Sequence, residues 1–180
     1  MIKAIFLDKD GTMVDNSGYP TTIPTDKLLY GDIVRGLSWL QQQGYALILI
    51  SNQSWIAKGR LNEAEVQAIF SSVQQQLHQA GILITDVLYC PHARRDNCLC
   101  RKPQPGLILK AVQKHGIDVR HSYMVGDMEE DILAGKRAGV RTILIQTGCG
   151  RKYVSSITPD FIIPSLNHIK EVIDDDRTSQ

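Results

Sequence analysis

The chain has 180 residues, of which 43% are hydrophobic and 22% charged, with a formal net charge of +1. That is the make-up of an ordinary soluble domain with a single core. So balanced a charge sets up no long-range field for nucleic acid or an anionic membrane, so attraction for a charged ligand must be local. No apolar run approaches the ~20 residues that cross a bilayer, and the segment from Met1 to Leu7 is too short for a signal peptide, so a cytoplasmic protein is expected.

In chain order, Ile2 to Leu7 reads as a short strand ended by Asp8-Lys9-Asp10-Gly11. Residues 13–30 hold Gly18, Pro20 and Pro24 and read as an irregular flap beside that strand. Ile33, Val34, Leu37 and Leu40 recur at helical spacing, and Gly44 stops the helix. Ala46 to Ile50 is a continuous apolar run, the signature of a buried parallel strand. Asn62-Glu63-Ala64-Glu65 forms a capping box opening a helix that reaches Ala80 and stops at Gly81. A strand over Asp86 to Tyr89 leads into the Cys/His segment 90–100. Pro105 to His115 is a helix closed by Gly116, and Tyr123 to Val125 is a strand. A helix follows over Glu129 to Ala138 with Gly139 as its stop, then a strand over Thr142 to Ile145. Phe161 to Ile163 reads as an edge strand and Leu166 to Ile173 as the last helix, with the acidic tail Asp174-Asp175-Asp176 frayed in solvent.

Strands alternating with helices predict an α/β fold: a Rossmann-like three-layer sandwich with a mainly parallel sheet, in one domain spanning 1–180. Such sheets bind ligands at the carboxyl ends of their strands. Three polar clusters fall there: Asp8-Lys9-Asp10-Gly11-Thr12, Ser51-Asn52-Gln53, and Gly126-Asp127 with Asp131 one helical turn on. Each alone could be a solvated turn; the three together point to phosphoryl transfer. Asp8 and Asp127 can share a hard cation such as Mg²⁺, which offsets the repulsion between a carboxylate and a phosphate. A carboxylate nucleophile divides hydrolysis into two steps through a phospho-enzyme, and Asp10 can serve as a separate acid and base. Ser51 can donate to a phosphate oxygen, and Lys102, beside Arg101, can neutralise transition-state charge. Asp10 argues against a non-enzymatic phospho-aspartate receiver, because a positioned acid and base hastens loss of the phosphate.

Cys90, His92, Cys98 and Cys100 make a Cys₃His set suited to a closed, structural Zn²⁺ that braces the loop carrying Arg101 and Lys102. Three clustered cysteines fit a reducing compartment better than a disulfide framework. Cys149 reads as a small residue in a turn, Trp39 as packing, and the pair Arg94-Arg95 as solvated or, alternatively, within reach of a distal phosphate. A zinc-dependent nucleic-acid module is disfavoured by the near-neutral charge.

The segment Phe6-Leu7-Asp8-Lys9-Asp10-Gly11-Thr12 resembles the first motif of the haloacid dehalogenase superfamily. Ser51-Asn52 resembles its second, Lys102 its third, and Gly126-Asp127 with Asp131 its fourth. The resemblance implies Asp8 as nucleophile, Asp10 as acid and base, and Mg²⁺ on Asp8, the Asp10 backbone carbonyl and Asp127. It also implies the superfamily's parallel-sheet core with the nucleophile on a central strand, and 180 residues leave little for a large cap over the site. Cys-Pro-His-x₅-Cys-x-Cys-Arg-Lys-Pro resembles the zinc loop of heptose bisphosphate and histidinol-phosphate phosphatases. Within that pair, the segment from Ser51 to Gly59 and the Thr147-Gly148 pair are similar to the heptose enzymes, whereas the short zinc-loop spacer is closer to the histidinol-phosphate group. The heptose resemblance implies substrate contacts at Asn16, Ser17, Gly18, Tyr19, Asn52, Gln53, Ser54 and Arg101. Trp55 stands where that motif has glycine, and Met128 where those enzymes carry lysine. The expectation is a monomeric Mg²⁺-dependent phosphatase acting on a small phosphorylated sugar.

Overall fold

The computed structural model describes residues 1–15, 29–31 and 33–178, the last four of them by backbone alone. Its centre is a six-stranded parallel sheet: β1 (Ala4–Leu7), β2 (Ala46–Asn52), β3 (Asp86–Cys90), β4 (Tyr123–Gly126), β5 (Arg141–Ile145) and β6 (Phe161–Ile163), in the order β3-β2-β1-β4-β5-β6. The chain first builds outward from β1 through β2 to β3. It then crosses back to lay β4 on the other side of β1 and continues to β5 and β6. The connections therefore diverge between β1 and β4, and a crevice opens at the carboxyl ends of those two strands.

β1 is buried at every position because both faces of the sheet are covered. Ile5 and Leu7 point into a core formed with α1 (Ile33–Gln42), α2 (Glu63–Gln79) and α5 (Ile169–Thr178). Ala4 and Phe6 point the other way, into a core with α3 (Gly106–His115) and α4 (Glu129–Ala138). Each fully buried aliphatic or aromatic side chain contributes about 1.5–3 kcal/mol relative to exposure, and this shared packing holds the loop after β1 against the loop after β4.

The capping box of α2 is present: Asn62 Oδ1 accepts from the Glu65 N–H, while Glu65 Oε2 accepts from the Asn62 N–H. The end of the chain differs from the expectation. A 3₁₀ turn occupies Leu166–His168, and α5 runs through the acidic segment to Thr178 rather than fraying at Asp174. Ile169 and Ile173 explain this, since they are buried on one face against the core while the acidic residues follow on from it. The expected flap has its ends tied together: Val14 bridges Leu29, and the Tyr30 N–H donates to the Met13 carbonyl at 2.9 Å. Asn16, Ser17, Gly18 and Tyr19 lie outside the described residues. No helix among the described residues is long and apolar enough to cross a membrane.

Candidate active site

The crevice gathers the polar groups from the ends of β1, β2 and β4. Asp8 follows β1, and its backbone N–H donates to the Val125 carbonyl at 2.9 Å, which ties the nucleophile candidate to β4. Lys102 Nζ lies 2.5 Å from Asp8 Oδ1 and 2.5 Å from Asp131 Oδ1, and donates to the Ile50 carbonyl at 2.9 Å. All three side chains are buried. Burial alone would lower the lysine pKa, but the Asp131 and Asp8 carboxylates outweigh it and hold the ammonium charged.

Asn52 fixes where that lysine starts. Its Oδ1 accepts from the Lys102 backbone N–H at 3.0 Å, and its Nδ2 donates to the Lys102 carbonyl at 3.1 Å. Gln53 turns inward and is buried; its Nε2 donates to Asp10 Oδ2 at 3.1 Å and to Ser51 Oγ at 2.8 Å. The geometry thus gives both expected substrate contacts work within the protein. The Ser51 oxygen is an acceptor here, which leaves its hydroxyl hydrogen to donate outward. The other Asp10 oxygen pairs with the buried Lys9 ammonium. Ser54 sits half-buried in the turn after β2, and Trp55 beside it has Lys58 and Arg60 over its ring, at 5.4 and 4.5 Å from the centroid.

Asp127 is held from the far side. The Cys149 backbone N–H donates to its Oδ2 at 2.7 Å, and Thr147 Oγ1 donates to the Gly11 carbonyl at 2.7 Å. A Cβ on Gly11 would lie 2.3 Å from Asp127 Oδ2, and so would one on Gly148. Both residues also have positive φ, at 90° and 52°. Only glycine meets both conditions. Cys149 therefore serves through its backbone, a contact that its side-chain chemistry could not announce.

The donor set fits a divalent cation. One carboxylate oxygen from each of Asp8, Asp127 and Asp131 falls within 4.8 Å of the others. Asp127 Oδ1 is buried and has no hydrogen-bond partner, an expensive state unless a cation takes it up. Four carboxylates (Asp8, Asp10, Asp127, Asp131) face two ammonium groups (Lys9, Lys102), which leaves two negative charges in excess. Without a cation, burial and then that excess raise the carboxylate pKa values. Burial lifts Asp8 to about 7 against the pull of Lys102, with Asp131 and Asp10 adding repulsion. Burial and then repulsion from Asp8 lift Asp127 to about 7, although the Cys149 N–H opposes it. Asp8 and Asp131 each give one oxygen to Lys102, so among the three carboxylates Asp127 Oδ1 is the buried oxygen without a partner.

The zinc-loop residues converge. Cys90 Sγ lies 3.5 Å from His92 Nδ1, 3.5 Å from Cys98 Sγ and 3.1 Å from Cys100 Sγ. Cys100 Sγ is 3.5 Å from Cys98 Sγ and 3.3 Å from His92 Nδ1. A zinc tetrahedron with ordinary Zn–S bonds has edges of about 3.8 Å, so the four groups are compatible with one ion after a slight outward relaxation. Burial disfavours a Cys98 thiolate, but the Arg101 N–H and the Cys100 and Cys90 thiols bring its pKa down to about 7. Cys90 heads this loop directly from β3, and Arg101-Lys102 leave it for the crevice.

The crevice itself is a depression of about 220 Å³ lined by Asp8, Asp10, Ser51, Asn52, Arg101 and Lys102 on one side and Met128, Glu130 and Asp131 on the other. Lys9, which pairs with Asp10, and Glu130, which lines the crevice, have no role assigned by any of the motifs. Lys9 is known as an inner residue only once Phe70, 5.6 Å from its Nζ, and Asp10 close around it. In sequence, the pair Glu129-Glu130 is an ordinary acidic first turn of a helix.

Comparison with known proteins points one way. A family model described as HAD-hydrolase-like matches residues 99–169. The chain is 39% identical over 155 residues to the D-glycero-beta-D-manno-heptose-1,7-bisphosphate 7-phosphatase of Pasteurella multocida, covering 82% of this chain and 84% of that protein. It is 37% identical over 155 residues to the D-glycero-alpha-D-manno-heptose-1,7-bisphosphate 7-phosphatase of Photorhabdus laumondii, again covering 82% and 84%. The fold superposes on the crystal structure of D,D-heptose 1,7-bisphosphate phosphatase from B. bronchiseptica complexed with magnesium and phosphate. The TM-score is 0.88 at 28% identity, covering 97% of this chain and 99% of that one.

Proposed function

This chain belongs to the D-glycero-D-manno-heptose-1,7-bisphosphate 7-phosphatase family of haloacid dehalogenase-like hydrolases, and from that premise we propose that it removes the 7-phosphate of that sugar bisphosphate through a phospho-aspartate on Asp8. The short zinc-loop spacer shared with histidinol-phosphate enzymes does not move the chain out of the heptose family. The observation that carries the reading is the buried cluster in which Lys102 bridges Asp8 and Asp131 while Asp127 Oδ1 waits without a partner.

Asp8 and Asp127, with the Asp10 backbone carbonyl, would hold Mg²⁺, which supplies charge neutralisation between the incoming phosphate and the Asp8 carboxylate. The Asp8 oxygen not paired with Lys102 attacks phosphorus, the P–O bond to the sugar breaks, and Asp10 gives its proton to the departing sugar oxygen. The Ser51 hydroxyl holds a phosphoryl oxygen, and the Lys102 charge beside Asp8 offsets the negative charge gathering there. In the second half Asp10 takes a proton from the water that attacks phosphorus, and Asp8 leaves as a carboxylate. The Lys9 ammonium and the Gln53 amide hold the two Asp10 oxygens in place. Cys90, His92, Cys98 and Cys100 would hold Zn²⁺, which fixes the loop and so the start of Lys102.

The test is phosphate release from both anomers of the heptose bisphosphate, from histidinol phosphate and from hexose phosphates, with Mg²⁺. The heptose bisphosphate is expected to have the highest kcat/KM. A preference for histidinol phosphate, or unchanged turnover in Asp8→Asn, contradicts the assignment.

A further inference from the structure

Beside the crevice lies a second hollow, of about 190 Å³, lined by Arg94, Asn97, Cys98, Arg101, Lys102, Pro103 and Gln104. Arg101 and Lys102 belong to both hollows, so the two are contiguous. Among the described residues, the lining of the second holds guanidinium and amide donors and no carboxylate. Lys102 is committed to Asp8 and Asp131, which leaves Arg94 and Arg101 as the cations facing a ligand there.

Arg94 is not simply solvated. It sits on the zinc loop in a short 3₁₀ turn closed by Asp96, whose carboxylate accepts from the Ala93 N–H at 2.8 Å. From there Nη2 reaches Glu130 Oε1, on the second residue of α4, at 2.7 Å. Glu130 lines the catalytic depression and Arg94 the basic hollow, so this ion pair spans the boundary between them. The Arg94 side chain is 80% exposed and Glu130 22%. The arginine is therefore free to turn, whereas the glutamate is fixed beside a site that already carries excess negative charge. Met128, the other rim residue on that side, adds no charge.

We propose that the Arg94–Glu130 pair is a charge-exchange latch that selects bisphosphorylated sugars: the substrate's second, non-reacting phosphate takes Arg94 away from Glu130. A guanidinium shared with a carboxylate passes readily to a dianionic phosphate, which offers the same fork geometry and more charge. A ligand with one phosphate leaves the latch closed and gains no contact from Arg94. Selectivity then comes from a contact that only a second phosphate can draw away from Glu130. The inference rests on the bisphosphatase reading and adds to it which residues discriminate.

Heptose 1,7-bisphosphate and heptose 7-phosphate differ by the second phosphate alone, so their ratio isolates the latch. Affinities are measured by calorimetry in an Asp8→Asn background with Mg²⁺, and kcat/KM with Asp8 intact. Arg94→Ala should lower the bisphosphate-to-monophosphate ratio about tenfold in both measurements, as expected for loss of a charge-assisted contact at a partly exposed site. Glu130→Gln should raise the bisphosphate affinity several-fold, because it frees Arg94 and removes a like charge. Opposite signs are the signature of exchange. If the pair merely staples the loop to α4, both variants break the staple and move both ligands in the same direction, which overturns the proposal. So does a ratio that neither variant changes. Affinities that respond as stated while Asp8-intact protein turns over neither ligand would instead overturn the catalytic reading and leave the latch standing.

Discussion

Gly148→Ala probes the interlock between the three loops that shape the crevice. A Cβ at this position would lie 2.3 Å from Asp127 Oδ2, 2.6 Å from Gly11 Cα and 2.8 Å from the Gly11 carbonyl oxygen. Two of those atoms are backbone, so no side-chain rotation relieves the clash. The left-handed φ of 52° adds a cost of its own. That conformational cost is about 1–2 kcal/mol, and forcing a methyl into a filled space costs about 1–3 kcal/mol. Together they come to about 3 kcal/mol, or a fall of roughly 6–12 °C in Tm for a chain of this size. Asp127 must shift by most of an ångström, which is expected to lower kcat about 100-fold. Gly139→Ala supplies the control. Its φ is 78°, but a Cβ there meets nothing within 4 Å, so it carries the conformational cost alone and should melt about 3–6 °C lower with activity retained. Thermal melts and steady-state kinetics on the two variants decide the matter. If Gly148→Ala matches Gly139→Ala in both readouts, the close approach to Asp127 has no energetic weight.

The remaining predictions concern the buried charges and the metals. In chelator, Tm should fall as pH rises from about 5 to 7 and then level off. Asp8 and Asp127 have pKa values of about 7 in the folded protein, above the unfolded 3.8, so the folded state binds more protons in that window. Mg²⁺ should restore the loss, and Asp127→Asn should flatten the slope; a chelated protein whose Tm is level across that range contradicts the charge excess. Lys102→Met leaves Asp8 and Asp131 facing each other without their cation and should destabilise the fold by about 3–5 kcal/mol at neutral pH, less in acid, read by chemical denaturation at two pH values. Asn52→Ala strips both hydrogen bonds from the Lys102 backbone and should cost about 1–3 kcal/mol and lower kcat more than it raises KM; an effect on KM alone would make Asn52 a substrate contact instead. Purified protein should carry one zinc per chain, lost in Cys100→Ser together with several degrees of Tm.

Much of this was legible because hydrophobic pattern and glycine stops agree locally. Glu129 to Ala138 and Phe161 to Ile163 are read from sequence with their observed bounds, since a glycine stop follows the helix and a short apolar run makes the strand. The crevice carboxylates were legible for a topological reason: polar residues directly after buried parallel strands must meet at one edge. Strand parity carried a signal that residue type obscured. Ser51 and Gln53 are two apart and so share a side at the end of β2, whereas Asn52 faces away; one therefore reaches Asp10 and the other the Lys102 backbone. Backbone contacts were not legible. Nothing in Thr147-Gly148-Cys149 announces that the Cys149 N–H meets Asp127, because that depends on how two loops from different strands interleave. Glu130 was hidden for a related reason: which of two adjacent acids faces the site depends on the rotation of α4, which the packing of Ile132 and Ala134 sets.

Rapid acid quench during turnover, followed by peptide mass spectrometry, tests the mechanism most directly. A phosphoryl group should accumulate on the peptide carrying Asp8, disappear on chasing with unlabelled substrate, and persist longer in Asp10→Asn, which lacks the base for its removal. Substrate consumed with no phosphate ever on Asp8 would contradict the account.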